Sequence, residues 1–250
     1  MSDSFTFGDQ VSDSETWPSC IELRNNRRTL NAGVFGYGAA QAVRRAYIIT
    51  QQRNVDTVIL SILINDDFNR DRMRFRSGFP RPAVMQSENG LSYADVPAID
   101  SIGTKWQPSH TIRILLVAKN YSYLLSKIFS ELGFDKNRMM GRTEIHDNAA
   151  DIDQIIEFTV TEFSSLDVTN KFIVLQYGEA DFPSLASEVL RIKELLLYQA
   201  QLADIPVIDT YNRLKVELTS SESNIWNGHH TAHGNDIVCD EIYLVIQNYQ

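Results

Sequence analysis

The chain has 250 residues and a mass of 28.5 kDa, with 43% hydrophobic and 22% charged residues, a composition that indicates a globular domain and excludes disordered, collagenous and repeat proteins. Its 32 Asp and Glu outnumber its 23 Lys and Arg, so the net negative charge argues against nucleic acid as a partner. The longest apolar runs, such as residues 58–64, are much shorter than the ~20 residues of a membrane helix, and no membrane span is predicted.

Hydrophobic runs alternate with longer amphipathic stretches, which is typical of an α/β fold with a mostly parallel sheet. Residues 29–34 predict a short strand and residues 38–53 predict a helix. Residues 56–64 form a continuous apolar run, as expected of a strand covered on both faces. This run ends at Asn65-Asp66, and the carboxyl ends of parallel strands are where such sheets bind ligands.

Residues 66–108 are rich in Pro and Gly without sustained periodicity, which predicts an insertion or lid within a single domain spanning residues 1–250. Two interpretations stay open, a solvated loop and a lid that contacts an anion. The residues that make the segment locally basic are Arg70, Arg72, Arg74, Arg76 and Arg81.

The remaining chain predicts helices and strands in alternation. The expected helices are residues 110–132, with Gly133 as the C-cap, residues 149–166, residues 184–202 and a last helix after His233; the expected strands are residues 171–177 and 205–209.

The two cysteines, Cys20 and Cys239, are too few for a disulfide framework or a four-thiolate zinc site. We expect them to be small core or surface residues, rather than the partners of a bridge between distant parts of the chain.

Three segments contain residue types that suit acyl-transfer chemistry, although each has a simpler explanation. Asp3-Ser4 offers a hydroxyl nucleophile but is also a common turn or helix N-cap. Gly36 lies in a glycine cluster before a predicted helix, where backbone N–H groups can face an anion, although a tight turn explains it equally well. Asn65 offers an amide donor to an oxyanion, or simply forms a turn.

A histidine cluster, His229, His230 and His233, precedes the last predicted helix. His229 and His233 are four residues apart, as metal ligands on one helix face are. The cluster lacks the glutamate of the H-E-x-x-H zinc pattern, and we predict no metal. A surface cluster without a role is the other alternative.

Taken together, these segments resemble, in order, the blocks of the SGNH (GDSL-type) hydrolase superfamily. The opening Asp3-Ser4-Phe5-Thr6-Phe7-Gly8, followed by Thr16-Trp17-Pro18, is similar to the G-D-S-F-T-F-G and T-W-P phrases of one branch. The resemblance implies a flavodoxin-like three-layer α/β/α fold and ester hydrolysis by a serine, without a cofactor. It implies that Ser4 is the nucleophile and His229 the base, and that the Ser4 and Gly36 N–H groups and the Asn65 amide form the oxyanion hole.

The sequence departs from the family pattern near the histidine. The family carries an Asp two or three residues earlier, where this chain has Asn227 and Trp226. Asn227 offers an amide oxygen without a full charge. A backbone carbonyl or a remote acid, Glu222 or Asp209, is the alternative, as is His230 acting as the base with Asn227 three residues before it.

The start of the chain also departs from the pattern. Ser2 and Gln10 stand where the family has glycines. Ser4 lies so early that the central strand preceding the family's nucleophile is missing, which would leave a gap in the sheet. We expect either a truncated chain or another segment or subunit that fills the gap. The chain as given shows no targeting segment, which would suit the cytoplasm, but the native compartment stays open.

The leading expectation is therefore a serine esterase acting on a small or carbohydrate-borne O-acyl ester. Two alternatives stay open: a catalytically impaired SGNH-like binding or interaction module, and an acyltransferase that uses the same site. The expected partner is a small-molecule or carbohydrate ester, while acyl length, leaving group and oligomeric state are undetermined.

Overall fold

The computed structural model describes residues 3–76, 79–88, 90–96, 144–182, 184–220 and 224–249. The chain forms two compact units, Met1–Asp71 with Ala150–Gln250 and Arg72–Ala149. The predicted helix at residues 110–132 and its cap Gly133 lie outside the described residues.

The described helices and strands alternate along the larger unit, as the hydrophobic pattern predicts. The helices are α1 (Ser4–Phe7), α2 (Trp17–Asn25), α3 (Ala39–Gln52), α4 (Asp67–Arg70), α5 (Ile152–Ser164), α6 (Ser187–Leu202), α7 (Tyr211–Ser220) and α8 (Ala232–Ile246). The strands are β1 (Thr57–Leu63), β2 (Met73–Arg76), β3 (Phe79–Pro80), β4 (Val84–Ser87), β5 (Gly90–Tyr93), β6 (Glu144–Ile145), β7 (Asn170–Gln176), β8 (Val207–Asp209), β9 (Trp226–Asn227) and β10 (His229–His230).

The larger unit contains a parallel sheet in the order β1-β7-β8, which confirms the predicted α/β class. β1 pairs with β7 from Thr57 opposite Asn170 to Leu63 opposite Gln176. Leu60 and Ile62 are fully buried, as expected of a strand that helices cover on both faces.

Helix α3 packs beside this sheet, and its first turn is capped by a residue distant in sequence. The carboxylate of Asp71 accepts hydrogen bonds from the backbone N–H of Ala40 at 2.8 Å and of Gln41 at 3.1 Å. A carboxylate at a helix N-terminus satisfies donors that lack partners within the helix. This contact fixes the end of the glycine-containing loop that leads into α3.

The predicted strand at residues 29–34 is not formed. This segment has no regular secondary structure, because an extended chain becomes a strand only where a neighbour supplies the ladder of hydrogen bonds. The side chain of Asn31 instead donates to the carbonyl of Thr6 at 2.9 Å and accepts from the N–H of Gly33 at 3.1 Å. The segment is therefore tied to the helix that carries Ser4.

Among the described strands, β1 has β7 as its only partner, and none of the described residues supplies the strand that the family places before its nucleophile. A groove of about 680 Å³ is lined by residues 57–59 at the start of β1 and by residues 27–30, with Trp17 and Phe172 among its apolar residues.

The expectation for the two cysteines is wrong, because Cys20 of α2 and Cys239 of α8 form a disulfide. The two helices pack together around a core that includes Trp17, Ile21 and Val238. This packing brings together two residues 219 positions apart, a proximity for which the sequence carries no local signal.

The smaller unit contains short antiparallel strands. β2 pairs with β3 and β6, and β4 pairs with β5. Across the described part of the chain, no helix is both long and apolar enough to cross a lipid bilayer.

Candidate active site

Ser4 is the first residue of α1, a single helical turn. Asp3 caps the turn by accepting the N–H of Phe5 at 3.0 Å, and Gly8 ends it in the left-handed conformation at φ 79°. The turn is packed into the protein, since Ser4 is only 3% exposed. The Asp-Ser pair thus forms the expected cap, and the same cap fixes the position of the serine hydroxyl.

His229 lies on β10, next to the turn that joins it to β9. Its Nε2 is 2.8 Å from the Oγ of Ser4, so the structure brings the two ends of the chain into hydrogen-bond contact. The ring also packs against the ring of Phe5, with centroids 4.9 Å apart. This apolar contact limits the orientations that the imidazole can adopt.

A carboxylate that the sequence motifs do not identify lies beside the other ring nitrogen of His229. Oδ1 of Asp9 is 3.2 Å from Nδ1, although Nδ1 makes no hydrogen bond of regular angle. Asp9 directly follows the turn that carries Ser4, whereas the family pattern leads one to search before the histidine. The only feature of the sequence that could have pointed to Asp9 is that it is an acidic residue in the same segment as Ser4.

The acceptors proposed from the sequence lie elsewhere or outside the described residues. Asn227 is exposed and stands opposite His229 in the β9-β10 pairing; the group beside Nδ1 is Asp9 rather than Asn227. Asp209 accepts from the Tyr177 hydroxyl at 2.9 Å and pairs with Lys193 at 2.5 Å. Glu222 lies outside the described residues.

Gln10, which stands where the family has a glycine, supports the histidine turn. Its Oε1 accepts the backbone N–H of His229 at 3.4 Å. Gly228 adopts a left-handed φ of 80°, and a Cβ there would lie 3.0 Å from Nε2 of Gln10. The Gln10 side chain therefore contacts the backbone that presents His229.

Gly36 lies in the loop before α3. It is buried and has a left-handed φ of 73°, which favours glycine because it lacks a Cβ. The ring of the preceding Phe35 is 58% exposed and has its centroid 6.4 Å from that of His229. The glycine loop thus borders the same site as the serine and the histidine.

Asn65 follows β1 and makes a polar contact with a second acid. Its Nδ2 donates to both carboxylate oxygens of Asp181 at 3.1 Å. Because a carboxylate only accepts, this contact determines which way the amide group faces. Burial raises the pKa of Asp181, while hydrogen bonds from Gly178 and Asn65 lower it.

An open cavity of about 700 Å³ lies among these segments. Its lining includes Phe5, which follows Ser4, Gly228, which precedes His229, and Asn65. Asp66 and Glu179 also line it; the carboxylate of Asp66 is paired with Arg70, so the charge of Glu179 is what disfavours anionic ligands.

The five arginines that make the predicted insertion locally basic are divided between the two units. Arg70 is buried against carboxylates in the larger unit. The other four, Arg72, Arg74, Arg76 and Arg81, belong to the smaller unit.

His230 and His233 make contacts other than the Ser4–His229 hydrogen bond. His230 is 2% exposed, and its ring packs edge-on against Phe5 with centroids 4.9 Å apart. Burial lowers its pKa to about 3, only partly opposed by the backbone of Tyr177. Nε2 of His233 is 3.1 Å from Glu217, and within the described ranges no three potential ligands cluster as a metal site.

Comparisons with known proteins relate the chain to others through its fold. No family model and no curated protein matches the sequence. A lipolytic protein of the G-D-S-L family from Veillonella parvula DSM 2008 is similar in structure, with 13% identity, a TM-score of 0.55 and coverage of 98% of this chain and 95% of the other. A G-D-S-L family structure from Desulfitobacterium hafniense DCB-2 has 13% identity, a TM-score of 0.53 and coverage of 98% and 96%. The family resemblance is confirmed at the level of the fold.

Proposed function

We propose that this protein, which shares the fold of G-D-S-L lipolytic proteins, is a serine hydrolase that cleaves an O-acyl ester through an acyl-enzyme on Ser4. The observation that carries the proposal is the 2.8 Å contact between Oγ of Ser4 and Nε2 of His229, with a carboxylate at the other ring nitrogen. A hydroxyl that contacts an imidazole, which in turn lies beside a carboxylate, suits acyl transfer with these groups as nucleophile, base and acid.

In the proposed reaction, Nε2 of His229 takes the proton from Ser4 as Oγ attacks the acyl carbon. The imidazolium then returns that proton to the leaving alcohol as the carbon–oxygen bond breaks, which leaves an ester on Ser4. Water attacks this ester with His229 again acting as the base, and Ser4 is released with the acid product. The negative charge of Asp9 stabilises the imidazolium at both stages.

The proposed oxyanion hole consists of the backbone N–H groups of Ser4 and Gly36 and the amide of Asn65. The Nδ2 of Asn65 carries two hydrogens, so contact with Asp181 leaves a second N–H for the substrate. The cavity lined by Asn65 and by the neighbours of Ser4 and His229 offers room for a small acyl group or a sugar hydroxyl ester.

A second candidate is an SGNH-like binding module with impaired catalysis. Two observations favour it: the Nδ1 of His229 lacks a hydrogen bond of regular angle, and the Asn65 amide already has an acidic partner. In such a module the Ser4 hydroxyl would not be activated.

The two candidates are separated by labelling with an organophosphonate together with turnover of a chromogenic acetyl ester. For a hydrolase we expect stoichiometric labelling of Ser4 and loss of at least ~10³-fold in turnover for Ser4→Ala. Ser14→Ala, a change at an exposed serine, is the matched control and should keep full activity. Wild-type protein that resists the phosphonate, or Ser4→Ala with unchanged turnover, would overturn the proposal.

A further inference from the structure

The three proposed oxyanion donors come from separate segments of the chain, at Ser4, Gly36 and Asn65. Donors of this kind stabilise a tetrahedral intermediate only when they converge on one point to within a fraction of an ångström. The protein therefore needs a connection between these segments. The side chain of Arg70 at the end of α4, only 6% exposed, makes contacts with a neighbour of each donor.

The contacts of Arg70 reach all three segments. Beside Ser4, its Nη1 donates to the carboxylate of Asp3 at 2.6 Å. Beside Gly36, the same nitrogen donates to the carbonyl of Tyr37 at 3.1 Å. Beside Asn65, Nε donates to Asp66 at 2.8 Å and Nη2 approaches the same oxygen at 2.6 Å. A further contact from Nη1 to Asp67, at 2.8 Å, holds the guanidinium to its own helix.

The chemistry of these contacts suits arginine specifically. A guanidinium presents five N–H donors in a rigid plane and can bond to groups on different sides at once, whereas an ammonium is a single point on a flexible stem. Burial by itself would lower the pKa of Arg70, but the carboxylates of Asp67, Asp3 and Asp66 raise it, so the side chain stays charged. Removing one member of such a buried set leaves the others uncompensated.

On the basis of the proposed function, we infer that Arg70 is a positioning residue that aligns the oxyanion hole by connecting the segments of Ser4, Gly36 and Asn65. It does not touch the substrate in this role, because its donors are directed to Asp3, Tyr37, Asp66 and Asp67. Its effect on catalysis is transmitted through the backbone that follows or precedes each donor.

A purely structural role for Arg70 makes a different prediction, because it would lower stability without a specific effect on the transition state. A misaligned oxyanion hole lowers kcat while the ground-state affinity, reflected in KM, changes little. It also slows phosphonylation of Ser4, which passes through a similarly charged state. These two measurements distinguish positioning from stability.

The test compares Arg70→Lys and Arg70→Met in the full chain, at a temperature where circular dichroism shows each variant to be folded. We expect kcat to fall by ~30- to 100-fold, less than the ~10²- to 10³-fold that the outright loss of one oxyanion donor costs, with KM within ~3-fold and phosphonate labelling slowed to a similar extent. Arg70→Lys keeps the charge but not the planar fork, so it should rescue little. The control, Val238→Ala in the buried face of α8, should reduce stability and leave kcat unchanged.

Asp66→Asn is a second variant for the case that neither Arg70 variant folds, because the side chain of Asp66 is 39% exposed and the change removes its charge while Arg70 keeps its contacts with Asp3 and Asp67. We expect a ~5- to 10-fold loss of kcat. A folded Arg70 variant with kcat within ~3-fold of wild type overturns the inference, as does Asp66→Asn within ~2-fold when the Arg70 variants do not fold. If wild-type protein is labelled and the variants are labelled equally fast, the inference alone fails; if wild-type protein is not labelled, the proposed function fails.

Discussion

Oδ1 of Asp9 lies 3.2 Å from Nδ1 of His229, so the carboxylate beside the imidazole comes from the segment that carries Ser4. The SGNH pattern takes this carboxylate from the residues just before the histidine, where the present chain has Trp226 and Asn227. In this arrangement Ser4 and Asp9 both belong to α1 and the turn that follows it.

Replacing Asp9 tests whether this carboxylate assists catalysis. Asp9→Asn removes the negative charge that stabilises the imidazolium, and we expect kcat/KM to fall ~10- to 100-fold. This loss is smaller than the ~10⁴-fold that the corresponding Asp-to-Asn change costs in a serine protease triad, because Asp9 is partly exposed and lacks a regular hydrogen bond to the ring. Asp13→Asn, at an exposed acid in the same stretch, should behave as wild type. A smaller loss for Asp9→Asn than for Asn227→Ala would contradict the assignment.

The charge of the cavity predicts a preference among substrates. Glu179 lines it, so an acetyl ester with an anionic leaving group should be hydrolysed more slowly than a neutral one of equal reactivity. We expect Glu179→Gln to raise kcat/KM for the anionic ester ~3- to 10-fold at low salt, with a smaller gain at high salt because ions screen the charge. Glu157→Gln, on the exposed side of α5, is the control. Equal effects of both variants, or no dependence on salt, would contradict the prediction.

His230 predicts part of the response of stability to pH. Burial lowers its pKa from 6.5 to about 3, so between these values the unfolded chain holds a proton that the folded chain lacks. This group therefore costs the protein no stability above pH 6.5. Below that pH it lowers the free energy of unfolding, by up to about 1.4 kcal/mol for each pH unit. Asp71 acts in the opposite direction, since burial raises its pKa to about 7.

The contribution of His230 is isolated by comparing wild type with His230→Phe in urea unfolding at several pH values between neutrality and about pH 4. The difference in unfolding free energy should shift in favour of the variant as the pH falls, because the phenyl ring has no proton to bind. Parallel curves for the two proteins would show that His230 does not make this contribution.

The disulfide predicts a redox-dependent stability. Cys20–Cys239 closes a long loop, and such a bridge stabilises the fold by about 2–4 kcal/mol, mainly by restricting the unfolded chain. Replacing both cysteines by serine should lower Tm by about 5–10 °C, and a reductant should then have no further effect. Intact-mass measurement under non-reducing conditions checks the bridge directly, because an oxidised chain lacks two hydrogens. The bridge would be excluded if the intact mass were that of a chain with two free thiols and the double replacement left Tm unchanged.

Much of the fold follows from local patterns. Helix α3 agrees with its prediction to within a residue at each end, and β1 is the continuous apolar run, because both depend on the periodicity of neighbouring side chains. The segment at residues 29–34 shows the limit of that method. Its composition suits a strand, but a strand also needs a hydrogen-bonding neighbour, which composition does not reveal.

The candidate site likewise contains some residues that the sequence predicts and others that it does not. Motifs identify Ser4 and His229, and the structure places the two in contact. No motif identifies Asp9, because its relation to His229 depends on how the turn after α1 folds back onto β10. The sequence groups Arg70 with a basic lid, since it shows the charge of the arginine but not the carboxylates that surround it.

Side-chain periodicity and short motifs are enough to establish the α/β class, the main helices and strands of the larger unit, and the serine and histidine that are candidates for the chemistry. These features can be read from the chain because each depends on residues close together in it. The acid beside the imidazole, the bond between the two cysteines and the guanidinium that connects three segments become known only from the folded structure. Each of them depends on distances between residues far apart in the chain, and such distances are determined by the packing of the whole domain.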